Sequence, residues 1–350
     1  MRYMPTSKLV PGMVLGQDVY DGSGRRLLAK HLILSAEYIS NLEFLGFSGI
    51  YIDDEFTRSI EIQEILTPQM RGQALNLIHE LFTFDVDEGD LPVEEENLRK
   101  TIENVVDDIL NSGDIMCNMM DIRDYDDYLY YHSVNVGAFS VMLGARYGLP
   151  REQLYDLMTA AMLHDIGKKF IDSEVVNGRW PLEGEAREQW KSHPRLGSEF
   201  LKSKYNFYPG VYEGVLMHHE WYNGEGYPTG GAGGEIPLFA RIIKLADCYD
   251  SMASKRPQRK RLSPLDAVEY LMAMAGAEFD PELVDIFIRK IAVYPVGCEV
   301  ELSNGQHAVV AKNFSDFALR PLVKVIETGE MLNLRDDPLG RSITIGRTLI

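Results

Sequence analysis

The sequence of 350 residues contains no long apolar run, and a membrane-spanning helix would need about 20 such residues. Its first residues, Met1-Arg2-Tyr3-Met4-Pro5-Thr6, have no apolar core of the kind that a secretion signal needs. The three cysteines, Cys117, Cys248 and Cys298, are far apart and odd in number, which argues against a disulfide framework and favours a reducing compartment. These absences predict a cytoplasmic protein without a membrane span.

Positive charge is also scarce. The chain has 35 lysines and arginines against 53 aspartates and glutamates, which gives a formal net charge of -18. A binder of nucleic acid polymers needs a broad basic surface, so that class of protein is excluded. A small anionic ligand stays compatible with this composition if positive charge is concentrated locally. The hydrophobic content of 45% is typical of a globular protein, and the length allows two or three domains.

The first part of the chain predicts a small β-rich domain followed by a helical linker region. Residues 1–58 form the accessory or sensing domain, with short apolar segments, a hairpin-type loop at Asp21-Gly22-Ser23-Gly24 and a helix at 35–45. Residues 59–119 form the linker region, whose helix at 94–111 is amphipathic. Its apolar side packs either against the main domain or against a second subunit, so a homodimer stays an open alternative.

The rest of the chain predicts an all-helical domain with a short β appendage. Residues 120–294 form the helical domain, because apolar residues recur there at three or four positions and no strands alternate with the helices. Its helices are predicted at 128–147, 150–165, 182–204, 209–220, 237–255, 264–276 and 281–292. Residues 295–350 form the appendage, with strands at 299–302, 307–311 and 321–326. The predicted fold class is therefore mainly α.

Five of the eight histidines fall between His132 and Asp247, at or near predicted apolar helices. A single histidine there is usually an ordinary packed side chain, but several such groups are costly to bury unless they share a charge. Imidazole and carboxylate are ligands of zinc, manganese and iron. The predicted metal ligands are His132, His164, Asp165, His193, His218, His219 and Asp247.

Asp165 is the natural bridge between two ions, because a carboxylate has two oxygens. The first ion would then be held with His132, His164 and Asp247, and the second with His193, His218 and His219. This count leaves positions open for water and substrate, as in a catalytic site. Two ions can activate water and polarise a phosphoryl oxygen, so the spacing predicts hydrolysis of a phosphoester.

Positive charge for a phosphate is available from a lysine and from a basic segment. Lys168, three residues after Asp165, would lie beside it if the backbone stays helical, although an exposed helix-end lysine is the alternative. Residues 255–261 contain five basic residues in seven, and Arg256 and Arg259 could clamp a phosphate with forked contacts. A solvated turn is the alternative for this segment.

A glycine-rich loop lies between Lys168 and the basic segment. Its eleven residues, 224–234, contain six glycines, which predict a loop that approaches a ligand closely.

Together these residues resemble the HD-GYP family of bacterial cyclic di-GMP phosphodiesterases. The resemblance covers residues 120–330 and depends on His132-Ser133-Val134-Asn135-Val136, His164-Asp165-Ile166-Gly167-Lys168, His218-His219-Glu220, Gly226-Tyr227-Pro228 and Asp247 with Asp250. It implies the seven ligands named above, with two iron or manganese ions, Asp165 and Lys168 as the catalytic residues and Lys168 near the scissile phosphate. It also implies nucleotide contacts from Asp250, Arg256 and Arg259, and a pocket shaped by Gly226, Tyr227 and Pro228.

The resemblance further implies hydrolysis of cyclic di-GMP to pGpG, which members often cleave onwards to GMP, in bacterial signalling. The N-terminal region resembles the small accessory domain of some members, and a signalling partner that binds there is a separate expectation. Some members hold a third metal through a glutamate where this chain has Tyr128, so two metals are expected. Trp221 and Asn223 stand where arginine and aspartate are common, and Gln258 replaces a frequent tyrosine, which leaves cyclic GMP-AMP open as the substrate. A non-catalytic sensor of cyclic dinucleotides and a di-iron oxygenase are the competing functions.

Overall fold

The computed structural model describes residues 1–21, 25–62, 65–84, 93–112, 128–178, 181–254, 262–315 and 317–349. Within these ranges the chain is mainly helical, with a small N-terminal β unit and a C-terminal sheet, so the predicted fold class is confirmed. None of the helices in the described ranges is long and apolar enough to cross a membrane.

The N-terminal unit consists of two small antiparallel sheets and one helix. Strands β1 (Arg2–Pro5), β2 (Val14–Leu15) and β5 (Gly49–Asp53) form the first sheet in the order β1-β5-β2, and the hairpin of β3 (Val19–Tyr20) and β4 (Arg26–Leu28) forms the second. Helix α1 (Ala36–Phe44) begins at Ser35, whose hydroxyl accepts a hydrogen bond from the Tyr38 amide at 3.2 Å. This unit buries an apolar core of its own.

The helices that follow share one continuous apolar core, to which, among these described helices, only the four-residue α6 contributes no buried residue. They are α2 (Pro68–Thr83), α3 (Glu95–Asn111), α4 (Tyr128–Tyr147), α5 (Arg151–Met162), α6 (Ser173–Val176), α7 (Gly184–Lys204), α8 (Pro209–Met217), α9 (Leu238–Ala253), α10 (Pro264–Ala273) and α11 (Pro281–Ile288). Helix α4 lies at the centre, in contact with α2, α3, α5, α9 and α11. The apolar residues of α3 are buried in this core, so its apolar side packs within the chain.

The C-terminal sheet is larger than the sequence predicted. Strands β6 (Glu299–Leu302), β7 (His307–Lys312), β8 (Leu322–Val325), β9 (Met331–Asn333) and β10 (Ile345–Thr348) form an antiparallel sheet in the order β10-β6-β7-β8-β9. The sequence predicted only β6, β7 and β8, because β9 and β10 are short edge strands with few apolar residues. The sheet shares its apolar core with the helices.

The N-terminal unit contacts this sheet directly. The Tyr3 amide donates to the Gly297 carbonyl at 2.9 Å, and the Lys324 ammonium donates to the Phe56 carbonyl at 2.5 Å. The N-terminal unit is therefore attached to the C-terminal sheet at two places, just before β6 and at β8. The domain boundaries at residues 58, 119 and 294 stay predictions.

Candidate metal centre

Seven side chains from five parts of the helical core meet at one point. His132 lies in α4, His193 in α7 and Asp247 in α9, whereas the other four follow the ends of α5 and α8. Their ligand atoms form three groups, and within each group all ligand atoms lie within 4.8 Å of one another. The groups are His193, His218 and His219; His132, His164 and Asp247; and His164, Asp165 and His218. The structure thus brings together all seven residues that the sequence singled out as ligands, and the clusters could hold metal ions.

Three of the histidines are oriented by the same backbone arrangement. The Nδ1 atom of each lies 2.7 Å from the carbonyl oxygen of the residue three positions before it. The pairs are His164 with Ala161, His193 with Trp190, and His218 with Val215. Because a carbonyl oxygen can only accept, each Nδ1 carries the proton and each Nε2 presents its lone pair.

The local sequence explains why those carbonyls are free to accept. His164 and His218 follow the last residues of α5 and α8, where helix carbonyls no longer receive amide hydrogen bonds. His193 lies within α7, but Pro194 follows it and has no amide hydrogen to donate to the Trp190 carbonyl four residues before. The proline therefore produces inside a helix the free carbonyl that the other two histidines find at helix ends.

His132 is oriented by a carboxylate instead. Its Nδ1 lies 2.6 Å from Asp250 Oδ2 and 3.2 Å from the Tyr128 hydroxyl, and the Tyr128 ring stacks on the imidazole. Its Nε2 lies 3.2 Å from Asp247 Oδ1. Burial alone would lower the pKa of His132, but hydrogen bonds and charges from Asp247 and Asp250 outweigh it and raise the pKa to about 9.

Both oxygens of Asp250 are held by neighbouring side chains of the helical core. Asp250 is completely buried, and its second oxygen accepts a hydrogen bond from Asn135 Nδ2 at 3.0 Å. With His132 on one oxygen and Asn135 on the other, the carboxylate faces protein groups rather than a ligand pocket. The geometry therefore gives Asp250 a role in the orientation of His132, and its contact with the nucleotide stays a prediction.

Asp165 lies between the histidine groups. Its Oδ1 is 3.3 Å from His193 Nε2, and its Oδ2 is 3.4 Å from His164 Nε2 and 3.8 Å from His132 Nε2. Burial would raise the pKa of this carboxyl, but the neighbouring His164 and the Lys168 ammonium hold it well below its usual range. The ionised carboxylate thus directs one oxygen to each side of the cluster, as a bridging ligand requires.

The imidazole nitrogens of the cluster repel one another in the absence of a cation, because their lone pairs face each other. His193 Nε2 lies 3.3 Å from His218 Nε2, and both atoms present lone pairs because both Nδ1 atoms are protonated. Burial lowers the pKa of both rings, which keeps them neutral. His164 Nε2 is buried without a hydrogen-bond partner among the described residues. A cation between these atoms would remove the repulsion and satisfy the unpaired nitrogen.

Lys168 lies beside Asp165, as the sequence predicted, although the backbone there is not α-helical. Residues Ile166–Phe170 form a 3-10 helix, whose three residues per turn bring Lys168 directly over Asp165. The ammonium contacts Asp165 Oδ2 and lies 4.5 Å from the centre of the Trp190 ring. The Lys168 side chain is 11% exposed, so the alternative of an exposed helix-end lysine is wrong.

The glycine-rich loop covers the partly open side of the cluster. His219 and Asp247 are only partly buried, and the Tyr227 ring stacks on His219 with 4.8 Å between ring centres. Gly226 permits this approach, because a Cβ atom there would lie 2.2 Å from the Trp221 amide nitrogen. Pro228 instead lines a cavity of about 340 Å³ between α7 and α8, whose walls include none of the seven candidate ligands.

The buried carboxylate of Glu220 joins the start of this loop to Thr229 and Gly230. The sequence did not single out this residue as functional. Glu220 is 2% exposed, and its Oε1 accepts hydrogen bonds from the Thr229 amide at 2.6 Å and the Thr229 hydroxyl at 2.8 Å. The Gly230 amide donates to its Oε2 at 3.1 Å.

Arg256 and Arg259 lie in residues 255–261, outside the described residues, so their phosphate contacts stay predictions.

The sequence pattern of the HD domain family matches residues 108–283, half of the chain. The chain belongs to the HD domain family. Within it, the chain is 30% identical over 224 residues to the cyclic di-GMP phosphodiesterase PA4108 of Pseudomonas aeruginosa, an alignment that covers 64% of this chain and 54% of the relative. It is also 28% identical over 186 residues to the 3'3'-cGAMP-specific phosphodiesterase 2 of Vibrio cholerae, covering 49% of this chain and 36% of that protein. The resemblance to the HD-GYP family is thereby confirmed.

A solved structure supports the fold over about four fifths of the chain. Bd1817 of Bdellovibrio bacteriovorus, an HDG"Y"P protein, aligns with 81% of this chain and 97% of its own, at a TM-score of 0.51 and 17% identity. This likeness establishes the fold alone. The chain spans about half the length or less of the two curated relatives, so their activities come to it only as a proposal.

Proposed function

We propose that this protein is a phosphodiesterase that hydrolyses a cyclic dinucleotide, in the first place cyclic di-GMP, at a centre of two divalent metal ions. The observation that carries the proposal is the position of Asp165, which directs one oxygen to each side of a cluster of histidines with fixed protonation. The names of the relatives support a cyclic dinucleotide as the substrate.

The ligand set divides into two groups around Asp165. His132, His164 and Asp247 would hold one ion, whereas His193, His218 and His219 would hold the other, with iron or manganese as the expected metals. When bound, such a pair supplies an activated water and polarises a phosphoryl oxygen. The protein supplies histidine rings whose Nδ1 atoms are held by carbonyls or by Asp250, so that their Nε2 atoms stay available as ligands.

Lys168 places a positive charge beside the centre. Its ammonium is held by Asp165 and by the face of the Trp190 ring, and it retains some exposure towards solvent. From there it would neutralise charge on the phosphate that is cleaved. In a protein of net charge -18, this local charge, with the predicted contacts of Arg256 and Arg259, would draw an anionic substrate to the centre.

The substrate preference has two candidates. Cyclic di-GMP is favoured by the relative from P. aeruginosa, and cyclic GMP-AMP by the one from V. cholerae. The product would be the linear dinucleotide pGpG, cleaved onwards to GMP. The complete set of oriented ligands favours an enzyme over a sensor, because binding alone needs no hydrolytic centre. A cytoplasmic location, a homodimer and a signalling partner at the N-terminal unit stay predictions.

The test is anaerobic purification with metal analysis, followed by chromatography of the products formed from each dinucleotide with Mn²⁺ or Fe²⁺. We expect two metal ions per chain and conversion of cyclic di-GMP to pGpG. The Asp165→Asn variant should lose both ions and all turnover, whereas the control Asp285→Asn, at an exposed carboxylate of α11, should retain both. Metal binding without turnover of either dinucleotide would contradict the proposed function.

A further inference from the structure

A buried charged pair lies beside the metal centre without contributing a ligand. Lys244 of α9 places its ammonium 2.7 Å from Glu278 Oε1, and their side chains are only 10% and 6% exposed. The Tyr270 hydroxyl of α10 donates to the other oxygen, Glu278 Oε2, at 2.7 Å. Burial lowers the pKa of Lys244, but its neighbours Cys248 and Glu278 raise it above its usual value, so the ammonium stays protonated.

The backbone around Glu278 holds the glycine-rich loop. The Tyr222 amide donates to the Glu278 carbonyl at 3.2 Å, and the Asn223 amide donates to the Ala277 carbonyl at 2.9 Å. Lys244 also lies 6.0 Å from the centre of the Trp221 ring, at the start of the same loop. The loop is thus attached through Glu278 to both α9 and α10.

The same loop carries the residues that cover the metal centre. Tyr227 stacks on His219, and its amide hydrogen bonds to the His219 carbonyl at 3.3 Å. The Thr229 and Gly230 amides donate to the Glu220 carboxylate, so the two ends of the segment 220–230 are joined. A shift of the attachment at Glu278 would therefore move Tyr227 relative to the metal centre.

Stability alone is a weak reason for such a pair. Two charges lose their hydration on burial, and a well-packed apolar pair of similar volume is often as stable. Lys244 precedes Asp247 by three residues on α9, so the pair lies one turn from a candidate metal ligand. Its location between that ligand and the loop indicates a role in the geometry of the site.

We propose that Lys244, Glu278 and Tyr270 are positioning residues that hold the glycine-rich loop against the metal centre and thereby set the KM for the substrate. This inference rests on the proposed function, since KM refers to the cyclic dinucleotide. We expect the metal ions to stay bound without the pair, because neither residue is a candidate ligand and four of the seven ligands are oriented by carbonyls of α5, α7 and α8 and by Asp250.

The test compares a double variant with a matched control. Lys244→Met alone would leave Glu278 as an unpaired buried charge and could unfold the protein, so it is combined with Glu278→Gln, which retains the Tyr270 hydrogen bond. The control is Arg289→Met with Asp285→Asn, which removes an exposed ion pair from α11. Tyr270→Phe is a third variant, which removes one hydrogen bond to Glu278 and leaves its charge paired.

Two measurements are made on the metal-loaded protein. We expect the double variant to raise KM about tenfold, as loss of a binding interaction does, with kcat and metal content unchanged. Amide hydrogen exchange of residues 220–234 should become faster, while α5 and α7 stay protected. Tyr270→Phe should give a smaller rise in KM, and the control should give none.

The outcomes separate the inference from the function on which it rests. Unchanged KM and unchanged loop exchange in the double variant would overturn the inference. Loss of metal together with faster exchange throughout the helices would also overturn it, because the pair would then be merely structural. If the wild type cleaves no cyclic dinucleotide, the proposed function fails, and the loop exchange alone then supports or overturns the positioning role.

Discussion

Replacement of Asp250 by asparagine is the most informative change at the metal centre. The carboxylate accepts from His132 Nδ1 at 2.6 Å and from Asn135 Nδ2 at 3.0 Å, so both of its oxygens are used. The amide of asparagine has only one oxygen. If that oxygen stays with Asn135, the new NH₂ group faces His132 Nδ1, where two donors meet.

Because its pKa is raised to about 9, metal-free His132 carries protons on both nitrogens, and a metal ion would displace the one on Nε2, which faces Asp247 and Asp165. In the variant, the NH₂ group disfavours the proton on Nδ1, so the ring would lose that proton and keep the one on Nε2. A protonated Nε2 cannot bind a metal ion. The hydrogen bond at risk is charge-assisted and contributes about 1.5 to 3 kcal/mol. Removal of a group that orients a metal ligand costs about 10- to 100-fold in metal affinity, which agrees with that energy.

The assay is a titration of the metal-free protein with Mn²⁺ in competition with a chelator. We expect Asp250→Asn to weaken one of two binding steps by about 10- to 100-fold and to leave the other unchanged, because the second group of ligands does not include His132. The exposed carboxylate variant Asp285→Asn serves as the control. Wild-type affinity at both steps in Asp250→Asn would refute the argument that this carboxylate fixes the proton of His132.

Three further changes test other parts of the site. Pro194→Ala supplies an amide hydrogen that competes for the Trp190 carbonyl, so metal affinity measured by the same titration should fall about tenfold, with thermal unfolding as the check of the fold. Lys168→Gln should lower kcat by about 10²- to 10³-fold at unchanged metal content, whereas the exposed Lys202→Gln should not; equal kcat values would contradict its role at the phosphate. Gly226→Ala places a Cβ 2.2 Å from the Trp221 amide nitrogen, so KM from product chromatography should rise while the metals stay bound.

Much of the helical fold could be predicted because helix signals in this chain are local. The apolar spacing of 128–147 coincides with α4 (Tyr128–Tyr147), and prolines at the first positions marked the starts of α8, α10 and α11. The predicted ends were less accurate, and the helix expected to reach residue 255 ends at Ala253. Helix ends depend on which carbonyls find other partners, and those partners are distant in sequence.

The candidate ligands could be predicted from the sequence, but the residues that hold the ligands and the loop in position could not all be predicted. Histidine and aspartate spacing indicated seven groups that the fold brings together. The attachment of Asp250 to His132 joins residues 118 positions apart, and Lys244 lies in α9 whereas Glu278 lies in the turn between α10 and α11. No local pattern marks such pairs, because each residue alone looks like an ordinary charged position.

One feature of the ligand geometry does have a local signal. A histidine within the residues that follow a helix finds a carbonyl three positions before it that no amide uses, and its Nδ1 donates there. A histidine followed by proline finds the same situation inside a helix, since proline leaves the carbonyl four positions before itself free. Because that hydrogen bond fixes the proton on Nδ1, both patterns select the form of the ring that binds a cation through Nε2. Helix ends and one proline thus set the protonation of three candidate ligands before any metal is bound.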